Sequence, residues 1–171
     1  QVQGQTCVTD FTAAALHSLI EVYLSGVTIE ADAVRVNFHL DCEDSGVRVE
    51  SQRGREEARV DVWNDTGKDL LIRVPGWAPV PSLRIVVNGD SVAPDICKGF
   101  ARVTALGAQQ VRATLVFTLP QSQTVEPWRE PTASQEMLTF HWRGDEITGV
   151  DPCGDYLKPF PKQCGSLLDN Q

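Results

Sequence analysis

From residue 27 onward the chain alternates apolar and polar positions with a period of two. Val34, Val36, Phe38 and Leu40 alternate with Arg35, Asn37 and His39, the pattern of a half-buried strand. Val47 and Val49 alternate with Arg48 and Glu50 after the turn signal Asp44-Ser45-Gly46. Ala58, Val60 and Val62 alternate with Arg59 and Asp61, and Asn64-Asp65-Thr66-Gly67 then turns the chain. Leu70, Ile72 and Val74 follow, stopped abruptly by Pro75-Gly76-Trp77. Leu83, Ile85 and Val87 lead into Asn88-Gly89, a strong hairpin signal because both residues tolerate positive φ. Phe100 to Val103, and then Val111, Ala113, Leu115 and Phe117, complete the series, which Pro120 closes. Residues 121–136, rich in Pro, Gln, Ser, Thr and Glu, read as a surface connection. Leu138, Phe140 and Trp142, a Gly144-Asp145 turn, and Ile147 with Val150 read as a hairpin. The proline-rich tail from Asp151 to Gln171 reads as a wrap over an existing surface.

Ahead of this region the period is 3.6. Over residues 11–24, Phe11, Ala15, Leu19 and Val22 share a helical face, and Leu16, Ile20 and Tyr23 widen it. Thr9 or Asp10 can cap its start, and Gly26 can end it in a left-handed turn. A helix apolar over so much of its circumference calls for partners on several sides, and no later segment supplies a second good helix. The mismatch points to a truncated neighbouring domain. Short strands with frequent turn signals, and no helical crossovers to join parallel neighbours, predict a mainly β chain. The expected architecture is an antiparallel β-sandwich preceded by one α-helix.

The net charge of −8 and a pI near 4.8 give a surface that repels phosphate backbones, so nucleic acid is excluded as a partner. No apolar run approaches the ~20 residues of a membrane span, which argues for a soluble protein, cytoplasmic or secreted. The opening Gln1-Val2-Gln3 lacks an initiator Met, as expected for a piece of a longer polypeptide or for a chain whose leader was removed. A chain of 171 residues buries roughly 70% of its unfolded surface and needs no disulfide to fold. Its five cysteines include no C-x-x-C pair, so zinc-ribbon spacing is absent. Cys42, Cys97, Cys153 and Cys164 admit two bridges in three connectivities if the compartment is oxidising, with Cys153 and Cys164 the favoured pair. In a reducing compartment they are plain thiols.

Short motifs add little chemistry. Arg143-Gly144-Asp145 matches a cell-adhesion tripeptide, but reads better as a tight turn between strands. Asn64-Asp65-Thr66 fits the N-glycosylation pattern in a turn expected to be exposed. Asp41, Glu43 and Asp44 suggest a calcium loop, yet Gln52 stands where an EF-hand needs its glutamate, so a solvated turn is preferred. His17, His39 and His141 are scattered and read as polar residues on helix or strand faces. No serine sits in a nucleophile elbow, and no glycine loop is built for phosphate. Glycosidase chemistry uses paired carboxylates, and 23 acidic residues do not single out a pair. Cys7 stands apart because it precedes a helix start, where unpaired N–H groups favour a thiolate, a nucleophile and a metal ligand. Taken alone it reads better as an ordinary buried thiol.

Four phrases in order, LLIRVPGWA, VNG, GFARV and VRATLVFTLP, resemble the C-terminal β-sandwich of β-L-arabinofuranosidase-like glycoside hydrolases of family 127. FHWRGDEITGV resembles a hairpin that members carry after the sandwich. The phrases span roughly residues 34–150, and their order and spacing carry the resemblance. It implies a large enzyme with an (α/α)6-barrel catalytic domain ahead of the sandwich, of which the 11–24 helix resembles the last barrel helix. In the family a Cys-Cys pair opens that helix. The first Cys is the nucleophile of a retaining mechanism, and both Cys bind zinc together with a Glu and a third Cys from upstream.

Matched to the family's C-C-T-G-N phrase, Cys7 takes the nucleophile and zinc-ligand position, Thr9 matches, and Val8 replaces the second cysteine. A rival match sets Gln5-Thr6-Cys7 on the upstream E-x-C zinc phrase, with Gln5 in place of the glutamate. The implied organisation is a terminal barrel helix at 1–26, a β-sandwich at 27–126, and a linker, hairpin and proline-rich tail at 127–171. The implied function is that of a non-catalytic C-terminal part of a furanoside-hydrolysing enzyme, its partner the missing barrel of the same polypeptide. Zinc belongs to the intact enzyme and is not expected on this part alone. The alternative is a standalone module: a glycan-binding one offering Trp63, Trp77 and Trp128 for stacking, or a structural interaction sandwich.

Overall fold

The structure is a computed structural model that describes residues 7–105, 110–128 and 136–152, with side chains described for 12–105, 110–127 and 137–152. One helix, α1 (Cys7–Leu24), is followed by β1 (Val27–Ile29), β2 (Ala33–Val36), β3 (Cys42–Asp44), β4 (Val47–Arg53), β5 (Glu57–Asn64) and β6 (Asp69–Arg73). A 3-10 turn at Val80–Ser82 leads to β7 (Arg84–Val87), β8 (Asp90–Val92), β9 (Asp95–Cys97), β10 (Phe100–Val103) and β11 (Val111–Thr118). The last strands are β12 (Gln121–Trp128), β13 (Glu136–Arg143) and β14 (Glu146–Asp151).

The strands form a five-stranded sheet in the order β1-β2-β6-β10-β9, a six-stranded sheet in the order β3-β4-β5-β11-β7-β8, and a three-stranded sheet β12-β13-β14. The first two make the sandwich. Val34 and Val36 of β2, Leu70 and Ile72 of β6, and Ala101 and Val103 of β10 are buried from one side. Val47 and Val49 of β4, Val60 and Val62 of β5, Ile85 of β7, and Ala113, Leu115 and Phe117 of β11 are buried from the other. Every second residue is inside because strand side chains alternate faces, so the period read from the sequence is the core itself.

The predicted antiparallel sandwich is present, with one exception. β2 runs parallel to β6, Val34 lying beside Leu70 and Val36 beside Ile72. No helix makes this crossover. The intervening β3, β4 and β5 lie in the opposite sheet, so the chain leaves one layer and returns to it. A sandwich thereby supplies the long connection that parallel neighbours require.

Hairpin turns are where local chemistry is decisive. Asn88 and Gly89 have φ of 52° and 97° between paired Val87 and Asp90, as expected for an Asn-Gly turn. Ser45-Gly46 repeats the geometry between β3 and β4, and Lys98-Gly99 between β9 and β10, a turn the alternation pattern does not announce. Gly26, in contrast, does not take a left-handed conformation. Its N–H donates to Tyr23 O at 3.0 Å, and its carbonyl accepts the N–H groups of Asn37 and Phe38.

Other differences from the sequence reading have physical causes. The helix begins at Cys7, so Thr9 and Asp10 lie within it. β2 stops at Val36, leaving Phe38 and Leu40 exposed at 43% and 38% although their alternation continues the strand pattern. Residues 121–128 form β12, where a surface connection is expected, and Pro127 sits in its ladder opposite Met137. Proline is tolerated there because β12 is an edge strand. The tail beyond Pro152, with the Cys153–Cys164 pairing, lies outside the described residues.

The three-stranded sheet is tied to the sandwich at its β13–β14 turn. Gly144 N–H donates to Pro120 O, and Arg53 Nη2 donates to Arg143 O. A Cβ on Gly144, whose φ is +62°, would lie 2.8 Å from the Trp77 ring. Leu70→Ala is therefore expected to cost about 2–5 kcal/mol in urea denaturation, as for a fully buried leucine. Two Gly→Ala substitutions should separate backbone strain from collision. Gly89→Ala, with nothing within 4 Å of the new Cβ, should lose only the ~1–2 kcal/mol of a left-handed non-glycine residue, and Gly144→Ala should lose more.

Candidate functional site

Cys7 is the first residue of α1, so its backbone belongs to the first helical turn, while its side chain lies outside the described ones. From residue 12 onward the large apolar side chains of the helix are poorly covered by the described residues. Leu16, Leu19, Ile20, Tyr23 and Leu24 are 56–67% exposed. Where α1 enters the sandwich its exit is fixed by Asn37, whose Nδ2 donates to Ser25 O at 3.0 Å and to Thr28 Oγ1 at 2.9 Å. The helix is thus anchored at its C-terminal end, with these five side chains largely exposed.

Zinc, implied only by the resemblance, can be tested against the donor set. Val8 is a hydrocarbon and cannot ligate, and Gln5 offers a neutral amide where a carboxylate is called for. Among the described residues no group of three or more His, Cys, Asp or Glu is placed to hold a metal ion. The residues present do not fit a four-ligand zinc site.

The outer face of the six-stranded sheet carries a connected polar surface. Glu43, Arg48, Trp63 and Arg112 are successive cross-strand neighbours on β3, β4, β5 and β11. The Trp63 ring has the Arg48 guanidinium 4.8 Å from its centroid and the Arg112 guanidinium at 5.0 Å, a pair of cation–π contacts. One step along, Glu50 lies opposite Asp61 and Asp61 opposite Thr114. Asp61 is only 5% exposed. Arg59 donates to both its carboxylate oxygens, at 2.6 and 2.8 Å, and Thr114 Oγ1 donates at 2.5 Å. Burial is the largest single effect on Asp61 and works against its charged form. The hydrogen bonds from Arg59 and Thr114, with the charges of Arg59 and Arg112, together outweigh it and hold the carboxyl below its ordinary 3.8. Asp69 is lowered likewise, by hydrogen bonds from Arg102 and the Ala105 N–H.

A second cluster joins the sandwich to the three-stranded sheet. The Phe117 ring has Trp77 edge-on at 5.7 Å and His39 at 5.6 Å. His39 Nε2 is 2.8 Å from Arg73 O, which fixes Nε2–H as the donor. Burial lowers the His39 pKa below 6.5, against the Arg73 carbonyl and the Asp145 charge, which favour protonation. Arg53 Nη1 donates to Asp145 at 2.7 Å.

The structure settles most of the small motifs. In Arg143-Gly144-Asp145 the arginine pairs with Glu146 and the aspartate with Arg53, so the tripeptide is a turn tied into the fold. Asn64 is fully buried, its Nδ2 donating to Lys68 O and its Oδ1 accepting from Thr66 N and Oγ1. The sequon asparagine therefore serves as an internal turn bracket and is not exposed. Asp41 accepts the Ser51 N–H at 2.6 Å, and Glu43 and Asp44 lie in β3. His17 lies 3.7 Å from Glu21 on α1, and His141 sits between Gln123 and Asp151 on the three-stranded sheet. Cys42 and Cys97 are free thiols. Of the three tryptophans offered for stacking, Trp77 is packed on Phe117, Trp63 is held by two arginines, and the Trp128 side chain lies outside the described ones.

The Arg–Trp–Arg row and buried Asp61 escape a reading of the sequence. Each residue stands at an ordinary polar strand position, and only the register across four strands brings them together. Asp61, Asp69 and His39 all bind a proton more weakly folded than unfolded. Their stabilisation is present above the unfolded-state pKa and lost as pH falls through the folded-state one. Through these three groups the urea midpoint should hold near neutral pH, fall below 6.5 through His39, and fall again below 3.8 through Asp61 and Asp69. His39→Gln, which keeps a donor for Arg73 O, should abolish the first step, and Asp61→Asn should shrink the second. A first step unchanged in His39→Gln would assign it to another group.

No family model matches this chain, and no curated protein matches it. Among solved structures it is similar to a GH127 β-L-arabinofuranosidase from Geobacillus stearothermophilus T6, at 20% identity and a TM-score of 0.44, over 76% of this chain and 22% of that one. It is also similar to a second GH127 β-arabinofuranosidase, at 14% identity and a TM-score of 0.42, over 71% of this chain and 23% of that one. The chain spans less than a quarter of the length of either enzyme.

Proposed function

We propose that this chain is a non-catalytic β-sandwich of a glycoside hydrolase, a scaffold that carries α1 to a helical catalytic domain of the same polypeptide. The observation that carries the reading is α1 itself. It is an eighteen-residue helix that exposes Leu16, Leu19, Ile20, Tyr23 and Leu24 while being anchored at one end by Asn37. Burying such side chains is worth roughly 1.5–3 kcal/mol each, so leaving them in water forgoes a large stabilisation that a helical neighbour would recover. The ordered LLIRVPGWA, VNG, GFARV and VRATLVFTLP phrases support this reading by resemblance, and on it the intact enzyme hydrolyses furanosides such as β-L-arabinofuranosides by a retaining, cysteine-nucleophile mechanism.

On this reading Cys7 stands at the nucleophile position, on the first turn of α1, where the helix N-terminus favours the thiolate. On this reading the acid/base partner comes from the catalytic domain.

The chain alone should release no nitrophenol from an aryl β-L-arabinofuranoside. The same chain preceded by the helical domain encoded upstream should do so, and Cys7→Ala should abolish that activity. Leu19→Glu should leave the urea stability of the isolated chain within about 0.5 kcal/mol, since Leu19 is exposed there, yet weaken the extended protein. A stop codon directly upstream of Gln1, or a Leu19→Glu variant as stable and active as its parent in the extended protein, would overturn the reading. A standalone module is the second reading, and the cleft described next is the observation that favours it.

A further inference from the structure

At the end of the six-stranded sheet, between the β3–β4 turn and the turn after β5, lies a cleft of about 240 Å3. Its lining includes Glu43, Arg48, Trp63, Asp65 and Gln110, with buried Val47 beneath. The volume is below the ~300–1,000 Å3 of sites for drug-sized ligands. We propose that this cleft is a binding site for a single neutral sugar ring of a glycan. The proposal does not rest on the glycoside hydrolase reading, since a sandwich with no catalytic partner would carry the same cleft.

The donor and acceptor set is what points to a polyol. Gln110 Nε2 donates to Asp65 Oδ1 at 2.8 Å, which holds both side chains in place and leaves Gln110 Oε1 and Asp65 Oδ2 for a ligand. Glu43 makes no ion pair among the described residues. Arg48 pairs with Glu50 and retains further N–H donors, and the Trp63 indole N–H has no acceptor among the described residues. Vicinal hydroxyls both donate and accept, and planar carboxylate, amide and guanidinium groups meet them in pairs. Two carboxylates against one arginine disfavour an anion such as phosphate or a uronate.

The site is also held in shape. Arg48 and Arg112 fix the Trp63 ring by cation–π contacts, and Asp65 N–H donates to Gly46 O at 2.8 Å, locking the two turns that form the walls. A ring fixed in this way loses little freedom on binding, which favours a weak but specific site. Because guanidinium groups occupy the Trp63 ring, the indole meets a ligand through its edge and N–H. Flat stacking is not offered.

The test is a titration of the chain with methyl pentosides and hexosides, followed through assigned indole and amide NMR resonances. The expected result is saturable shifts of the Trp63 indole, Asp65 to Gly67 amide and Gln110 side-chain signals, with a Kd on the order of 1 mM. Glu43→Gln combined with Asp65→Asn, both exposed, should weaken binding by roughly tenfold or more while leaving the urea midpoint unchanged. Glucuronate, inorganic phosphate and calcium chloride should give no saturable shift at these signals. Three outcomes would overturn the site: no saturation by any neutral sugar up to ~100 mM, an undiminished response in the double variant, or a response to calcium or phosphate in place of sugar. Failure here leaves the role of α1 standing, and loss of that role leaves this cleft intact.

Discussion

Everything in this molecule depends on burying the alternate residues of two sheets against each other. Leu70 and Ile72 on β6 and Leu115 and Phe117 on β11 sit in the central strands of their layers and are essentially inaccessible. Their positions fix which face of each strand is inner. By the same stroke they fix which residues stand outward, where Arg48, Asp61, Trp63 and Arg112 meet. The polar face is thus a consequence of core packing. Asp61 is covered by its neighbours' side chains, and three hydrogen bonds from Arg59 and Thr114 offset the cost of its burial.

The helix obeys none of this. Its described apolar side chains are not part of the buried core, and among the described residues Asn37 and the Gly26 carbonyl hold its last turn to the sandwich. A β-sandwich is complete once its two inner faces meet, so a helix attached at one end has no core left to join. That is why separate roles are proposed for α1 and the outer face, one toward another domain of helices and the other toward a small polar ligand.

The three-stranded sheet is attached differently again, through a turn. Gly144 lies so close to Trp77 that any side chain there would collide, and Arg53 grips both Arg143 O and Asp145. A tripeptide that reads as an adhesion motif is spent on this junction. Asn64 is a parallel case, its amide turned inward to satisfy the backbone at Lys68 and Thr66. Both motifs are accounted for by internal geometry alone.

The sequence by itself determined the two-layer core, because a strand's side-chain period is two and Val, Ile and Leu occupy the same face strand after strand. It also determined the Asn88-Gly89 turn, where positive φ selects residue type locally. The 3.6-residue period of 11–24 likewise determined the helix. What it did not determine depends on which strands become neighbours. The parallel β2–β6 pair exists only because three strands cross to the other layer. β12, polar and proline-containing, is a strand only because β13 offers it an edge. The row from Glu43 through Arg48 and Trp63 to Arg112 unites residues far apart in the chain. Periodicity is a property of one segment and can be read along it. Register is a relation between segments, and only the tertiary structure decides it.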